Sequence, residues 1–289
     1  MKNWIFIFLF LPVFTVLSAQ NSTHDNSIQL IIRADDIGSF HAANVGCIES
    51  YKNGIARSVE IMPPCAWFPE AVEMLKENPG YDVGVHLTLT SEWSNYKWRP
   101  ITHCPSLVDE DGFFPPMVWK NNNFPPNSSI QEANWKIEEI EQELRAQIEL
   151  SLKYITQVSH LSTHMGFTSL DPKIEEVVNK LAKEYKLEVN MEGVQRFPGW
   201  GRDTKPKDRI DKFCENLKNL KPGKYLFIEH PARDFEEMKT IGHTGSNDVA
   251  ESREWVTRVF TSKKVKKTIK KMGIQVISYA DVKKEQGKS

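Results

Sequence analysis

Two rhythms of apolar and polar positions alternate along this chain. Short apolar, β-branched runs recur at 28–34 (IQLIIRA), 58–62 (SVEIM), 82–89 (DVGVHLTL), 157–163 (QVSHLST), 187–191 (LEVNM), 224–230 (KYLFIEH) and 274–279 (IQVISY). Segments with helical spacing fill the gaps, at about 41–52, 67–78, 130–155, 171–185, 207–219 and 251–272. Strand-like runs separated by helical ones predict βαβ units and a parallel sheet. Seven of them predict an α/β fold, a distorted TIM-like (β/α) barrel, as a single domain over 28–282.

One stretch departs from that rhythm. From Ser91 to Ser129 the chain is rich in Pro, Asn, Trp and Phe, and is predicted to be a long loop insertion at about 91–129. Loops of this length in a domain are usually lids or binding loops; a cap packed over the barrel end is the structural alternative.

The chain begins MKNWIFIFLFLPVFTVLSAQ: one Lys, an apolar run from Trp4 to Leu17, then Ser18 and Ala19. This layout predicts a signal peptide over 1–19, cleaved after Ala19. The run is short, carries Pro12, and falls below the roughly 20 apolar residues of a permanent span. A secreted or periplasmic protein is expected, free of the membrane after cleavage. No Cys follows the run to carry a lipid anchor.

Charge excludes one class of partner. Thirty-seven Lys and Arg face 38 Asp and Glu, a net −1, so nothing attracts nucleic acid globally. The basic stretch TSKKVKKTIKK (261–271) has Val265 and Ile269 four apart and reads as the solvated face of an amphipathic helix. Cys47, Cys65, Cys104 and Cys214 match no zinc or redox spacing. Cys47 and Cys214 read as buried thiols, and an oxidising compartment would allow one or two disulfides of unassigned pairing. A homo-oligomer is left open.

The candidate chemistry sits at strand ends. Asp35 and Asp36 follow the first strand, His86 lies late in GVHLTLT, His160 and His164 flank the end of HLSTH, and His230 closes YLFIEHP. In a parallel barrel these ends open on one face, where active sites form. Adjacent carboxylates repel and lose solvation near a core. Either the pair is a strand-end turn with an Asp as helix cap, or a cation sits there. A carboxylate with two imidazoles is a common ligand set for a catalytic divalent ion, with positions left for water and substrate. Side chains alternate across a strand, so one Asp can face the ion while its neighbour faces the attacking water as base. His230 could protonate a leaving group or hold an oxyanion. His160 is either a partner that orients a ligand or a packed residue. His103 reads as a loop residue, and His243 as part of a turn that could also cover the site. Trp93, Trp98, Trp119 and Trp200 would face the barrel mouth, as sugar platforms or as packing anchors.

In order, RADDIG, GVHLTLT, HLSTHMG, IEHP and ESREW resemble the YdjC/ChbG-like carbohydrate deacetylases, from about Ile28 to Tyr279. The resemblance implies a distorted barrel that removes acetyl groups from N-acetylated sugars with one divalent ion, Mg2+ in the family, while the donor types also suit Zn2+ or Mn2+. It places Asp36, His86 and His164 on the metal, Asp35 as base, His230 in the family's His-Pro-Gly stretch, and Arg253 near the start of the last long helix as a substrate contact. Trp93 and Trp98 are the aromatic candidates for substrate binding. The chain departs from the family at Ser162, where Asp is frequent, at Met165 and Gly166, where a further His is frequent, and at Ala232, where Gly is usual. The metal triad stays intact and the sugar unnamed. Two other functions compete: a carbohydrate-binding protein without catalysis, and a metal-dependent hydrolase of another bond such as a phosphoester.

Overall fold

The first strand, β1 (Ile28–Ile37), is the axis of the sheet. Around it lie β2 (Ser58–Ile61), β3 (Asp82–Leu87), β4 (Val158–Thr163), β5 (Gln195–Arg196), β6 (Gly223–Glu229) and β7 (Gln275–Ile277). The computed structural model describes Met1 and residues 26–201 and 203–287. The signal-peptide reading lies outside the described residues. All pairings are parallel, in the order β4-β3-β2-β1-β6-β5, with β7 paired to the start of β1. Residues buried on both faces explain this: Leu30, Ile31 and Ile32 are all fully buried, as a strand covered on both sides requires.

The helices are α1 (His41–Lys52), α2 (Phe68–Lys76), α3 (Ile137–Tyr154), α4 (Pro172–Glu184), α5 (Arg209–Lys218), α6 (Val249–Thr261), α7 (Lys263–Lys271) and α8 (Tyr279–Gln286). One core joins Leu30, Ile32 and Val59 to Phe213, Leu217 and Phe260. A second joins Val85 and Leu87 to Leu144 and Ile148 of α3 and to Trp98, Phe114 and Val118. Full burial of such side chains contributes roughly 1.5–3 kcal/mol each. Residues 91–129 thus form a packed cap with one short 3₁₀ turn, Pro105–Leu107.

The architecture is a parallel α/β half-barrel in one domain, so the expected distorted TIM-like barrel holds as a parallel α/β fold and its likeness to a TIM barrel is approximate. Among the described residues β4 and β5 remain the two ends of the sheet. The predicted strand 187–191 makes no ladder. Its Val189 and Met191 instead pack beside Ile31, Ile277 and Tyr279, and the strand in this part of the chain is the short Gln195–Arg196, which pairs with β6. The predicted helix 130–155 begins at Ile137. The predicted helix 251–272 breaks at Ser262, whose extended backbone ends α6 and whose hydroxyl accepts from Lys264 and Val265 N–H to start α7. In α7, Val265 and Ile269 are buried under the lysines, as expected. All four cysteines are buried free thiols. Among the described residues no helix is long and apolar enough to cross a membrane.

Candidate metal centre

A bulge in β1 builds the site. Ala34 pairs with Val59 and Ile37 with Ile61, so β1 carries one residue more than β2 between these pairs. Asp36 takes the left-handed conformation, with φ 75°, which Asp tolerates better than most residues. The expected alternation of Asp35 and Asp36 is therefore broken, and both carboxylates reach the same imidazole. His86 Nε2 lies 3.7 Å from Asp35 Oδ2 and 3.7 Å from Asp36 Oδ1.

Asp36, His86 and His164 converge, with one ligand atom from each within 4.8 Å of the others. They are 1%, 2% and 3% exposed. His164 Nδ1 is 3.6 Å from Asp36 Oδ1. Ligand atoms in a tetrahedral shell with bonds of about 2.1 Å stand about 3.4 Å apart, so small side-chain shifts would close the set. Asp36 Oδ1 is buried with no hydrogen-bond partner, whereas Oδ2 is held by Arg253 Nη2 at 2.9 Å. A buried carboxylate oxygen left without a donor is what a cation would satisfy, so these residues fit a divalent ion.

The two imidazoles are fixed from behind through different nitrogens. His86 Nδ1 lies 2.7 Å from Ser162 Oγ, leaving Nε2 toward the carboxylates. His164 Nε2 lies 2.9 Å from buried Glu92 Oε2, leaving Nδ1 toward Asp36. Such outer partners set tautomer and ring orientation. Burial pushes His86 down to about 4. For His164, burial acts the same way, but Glu92 and Asp36 outweigh it and lift the imidazole to about 10. Burial would raise the Asp36 carboxyl, yet His230, Arg253 and His164 together hold it well below the usual carboxylate range.

The remaining candidates take distinct places. Asp35 accepts from Arg33 Nε and Nη2, each at 2.7 Å, in a bidentate clamp. His230, just after β6, is partly exposed and lines a groove of about 1250 Å³ with Trp119, Met165, Arg196, Trp200 and Arg209. Arg253, expected to contact substrate, pairs with Asp36, while its buried Nη1 has no partner. Trp93 and Trp98 are 6% and 3% exposed. The indole N–H of Trp98 donates to Thr90 O at 2.7 Å, and its ring packs edge-on to His164. Trp93 has Arg253 over its ring and stacks on His243. Both are walls of the site, and the exposed ring on the groove is Trp119, at 43%. His160 orients no ligand directly: its Nε2 bonds Glu60 Oε1 at 2.7 Å and its ring stacks on Tyr279. His243 closes a turn with Ser246, and His103 is exposed.

Three residues were not identified from sequence: Arg33, Glu60 and Glu92. The available signal for Glu60 was a lone carboxylate inside the apolar run SVEIM, and for Arg33 its place two residues before Asp35, on the same strand face. Glu92 carries no local signal.

A sequence model of the family described as "YdjC-like protein" matches residues 29–271. The chain belongs to this family. It is 36% identical over 162 residues to carbohydrate deacetylase 1 of Listeria innocua, a match covering 56% of this chain and 60% of that relative. It is 28% identical over 262 residues to the carbohydrate deacetylase of Listeria monocytogenes serotype 4a, covering 88% of this chain and 100% of that relative. The fold is shared with a crystal structure from Enterococcus faecalis V583 of a protein named for cellobiose-phosphate cleavage. The TM-score is 0.69 at 24% identity, over 89% of this chain and 99% of that one.

Proposed function

We propose that this protein is a metal-dependent hydrolase that removes acetyl groups from N-acetylated sugars or oligosaccharides. The observation that carries this reading is the buried convergence of Asp36 Oδ1, His86 Nε2 and His164 Nδ1 beside a second, clamped carboxylate. A divalent ion held by these three residues, Mg2+ on family resemblance, would polarise the acetyl carbonyl and make an attacking water more acidic. Asp35 takes the proton from that water, with Arg33 fixing the direction of its carboxylate. The water oxygen adds to the acetyl carbon and the C–N bond breaks. His230, which lines the groove, gives a proton to the departing amine, and acetate and a free amino sugar result. Arg253 Nη1, buried and unpartnered, offers a donor to a substrate oxygen. Trp119 offers an exposed ring to the apolar face of a sugar.

The test is acetate release from a panel of N-acetylated glycans, with the ion content of the same preparation measured. Acetate release that a chelator abolishes and an added ion restores supports the reading. Glycan binding without acetate release, or release of phosphate instead, overturns it. Export is part of the proposal: the mature chain is to begin near Gln20, and N-terminal sequencing that finds Met1 intact on a cytoplasmic protein refutes that part.

A further inference from the structure

Beneath the ligand set, the register of β2, β3 and β4 stacks two rows of side chains. Glu60 stands opposite Gly84, and Gly84 opposite His160; in the next row His86 stands opposite Ser162. Residues two apart on a strand share a face, so Glu60 lies below His86, in the space that Gly84 leaves. A Cβ at Gly84 would fall 2.7 Å from Glu60 Cδ and 2.5 Å from His160 Nε2.

We propose that Glu60 is a positioning residue for the metal ligand His86, acting through the Ser162 hydroxyl. The inference rests on the metal-site reading above. Ser162 Oγ donates to Glu60 Oε2, in a short contact. A hydroxyl has one proton. With that proton committed to a carboxylate, Ser162 Oγ can only accept from His86, 2.7 Å away at Nδ1. The proton of neutral His86 is thereby assigned to Nδ1, and the Nε2 lone pair is left to the ion. His160 Nε2 at 2.7 Å and Arg33 Nε at 3.8 Å hold the carboxylate from its other side. Glu60 itself is fully buried. Gly84 serves the same device, because any side chain there would displace Glu60.

Zn2+ titration of the metal-free protein tests this, with a thermal melt of every variant. Glu60→Leu removes the acceptor at similar volume and is expected to weaken Zn2+ binding about 10–100-fold, the usual cost of losing an outer partner. Gly84→Ala, which displaces the carboxylate without removing it, is expected to weaken binding in the same direction. Adding Ser162→Asp to Glu60→Leu puts a carboxylate directly against His86 Nδ1 and is expected to restore most of the lost affinity. Ser162→Asp alone, facing Glu60 at contact distance, is expected to weaken binding. If wild type binds Zn2+ and Glu60→Leu stays within about twofold of it, well inside that usual cost, the inference fails and the metal site stands. If the double variant binds no better than Glu60→Leu, the inference also fails. Should Glu60→Leu not fold, Gly84→Ala decides by the same threshold. If wild type binds no divalent ion, the metal reading itself has failed.

Discussion

Arg253 Nη2 sits 2.9 Å from Asp36 Oδ2 and leaves Oδ1 of the same carboxylate buried and without a donor. The two oxygens are thus assigned different partners by the fold. One is tied to α6, and the other faces His86 and His164.

That division separates the two adjacent aspartates experimentally. Asp35→Asn is expected to retain bound ion and to lower turnover by about 10²–10⁴, the usual contribution of a general base. Asp36→Asn is expected to lose bound ion, with activity partly recovered at high added ion. Ion content and acetate release of both variants check this. Ion loss confined to Asp35→Asn would reverse the roles.

Removing the ion should also lower stability, because only the folded chain assembles the three ligands. At an ion concentration 100 times Kd the stabilisation is about 2.7 kcal/mol, which raises Tm by roughly 5–10 °C in a domain somewhat smaller than this one. Thermal melts with a chelator and with added ion measure the difference. Equal melting temperatures at saturating ion would contradict a folded-state site.

Trp119 is the exposed aromatic ring of the groove and packs into no core cluster. Trp119→Ala is therefore expected to change stability by no more than about 0.5 kcal/mol. It should raise KM for an oligosaccharide by about 2–13-fold, as loss of about 0.5–1.5 kcal/mol of ring contact would, and leave kcat close to wild type. Kinetics on substrates of increasing length test it; a fall in kcat alone would place Trp119 elsewhere in the reaction.

Gly46 on α1 faces the backbone just after His230: a Cβ there would lie 2.6 Å from Ala232 Cα and 2.9 Å from Pro231 C. Gly46→Ala is expected to cost about 1–3 kcal/mol as an overpacked contact and to reduce kcat by moving His230. Ion affinity should be unchanged, since none of Asp36, His86 and His164 follows β6. A melt, an ion titration and a rate measurement together distinguish this from general unfolding.

How much of this was legible in the sequence depended on what each residue had to signal. Asp36, His86 and His164 stand at or just beyond apolar strand ends, so position and residue type pointed the same way. Glu60 did not, because a carboxylate inside a buried strand contradicts the pattern that defines the strand, and its partners Ser162 and His160 come from β4, about a hundred residues on. Six strand predictions held because β-branched runs also found a neighbour. LEVNM alternates apolar and polar positions as a strand would, but Lys186 turns the chain with φ 57° just before it, and its apolar side chains pack without a ladder. The break at Ser262 was hidden because buried positions continue through Val259, Phe260, Val265 and Ile269 on both sides of it. The bulge was hidden for a related reason: composition records which residues are present, and the pairing of β1 with β2 is a property of two strands.

The single extra residue in β1 makes the length of this stretch as consequential as its chemistry. A substitution at Asp35 or Asp36 changes one functional group and leaves the other where it was. A deletion of either would return β1 to regular pleating and turn the surviving neighbours through half a turn about the strand axis. On the proposed roles, ion-binding and proton-accepting groups would be encoded jointly, as a pair plus a spacing, and a chain with a single aspartate at this point could not be restored by moving the other one nearby.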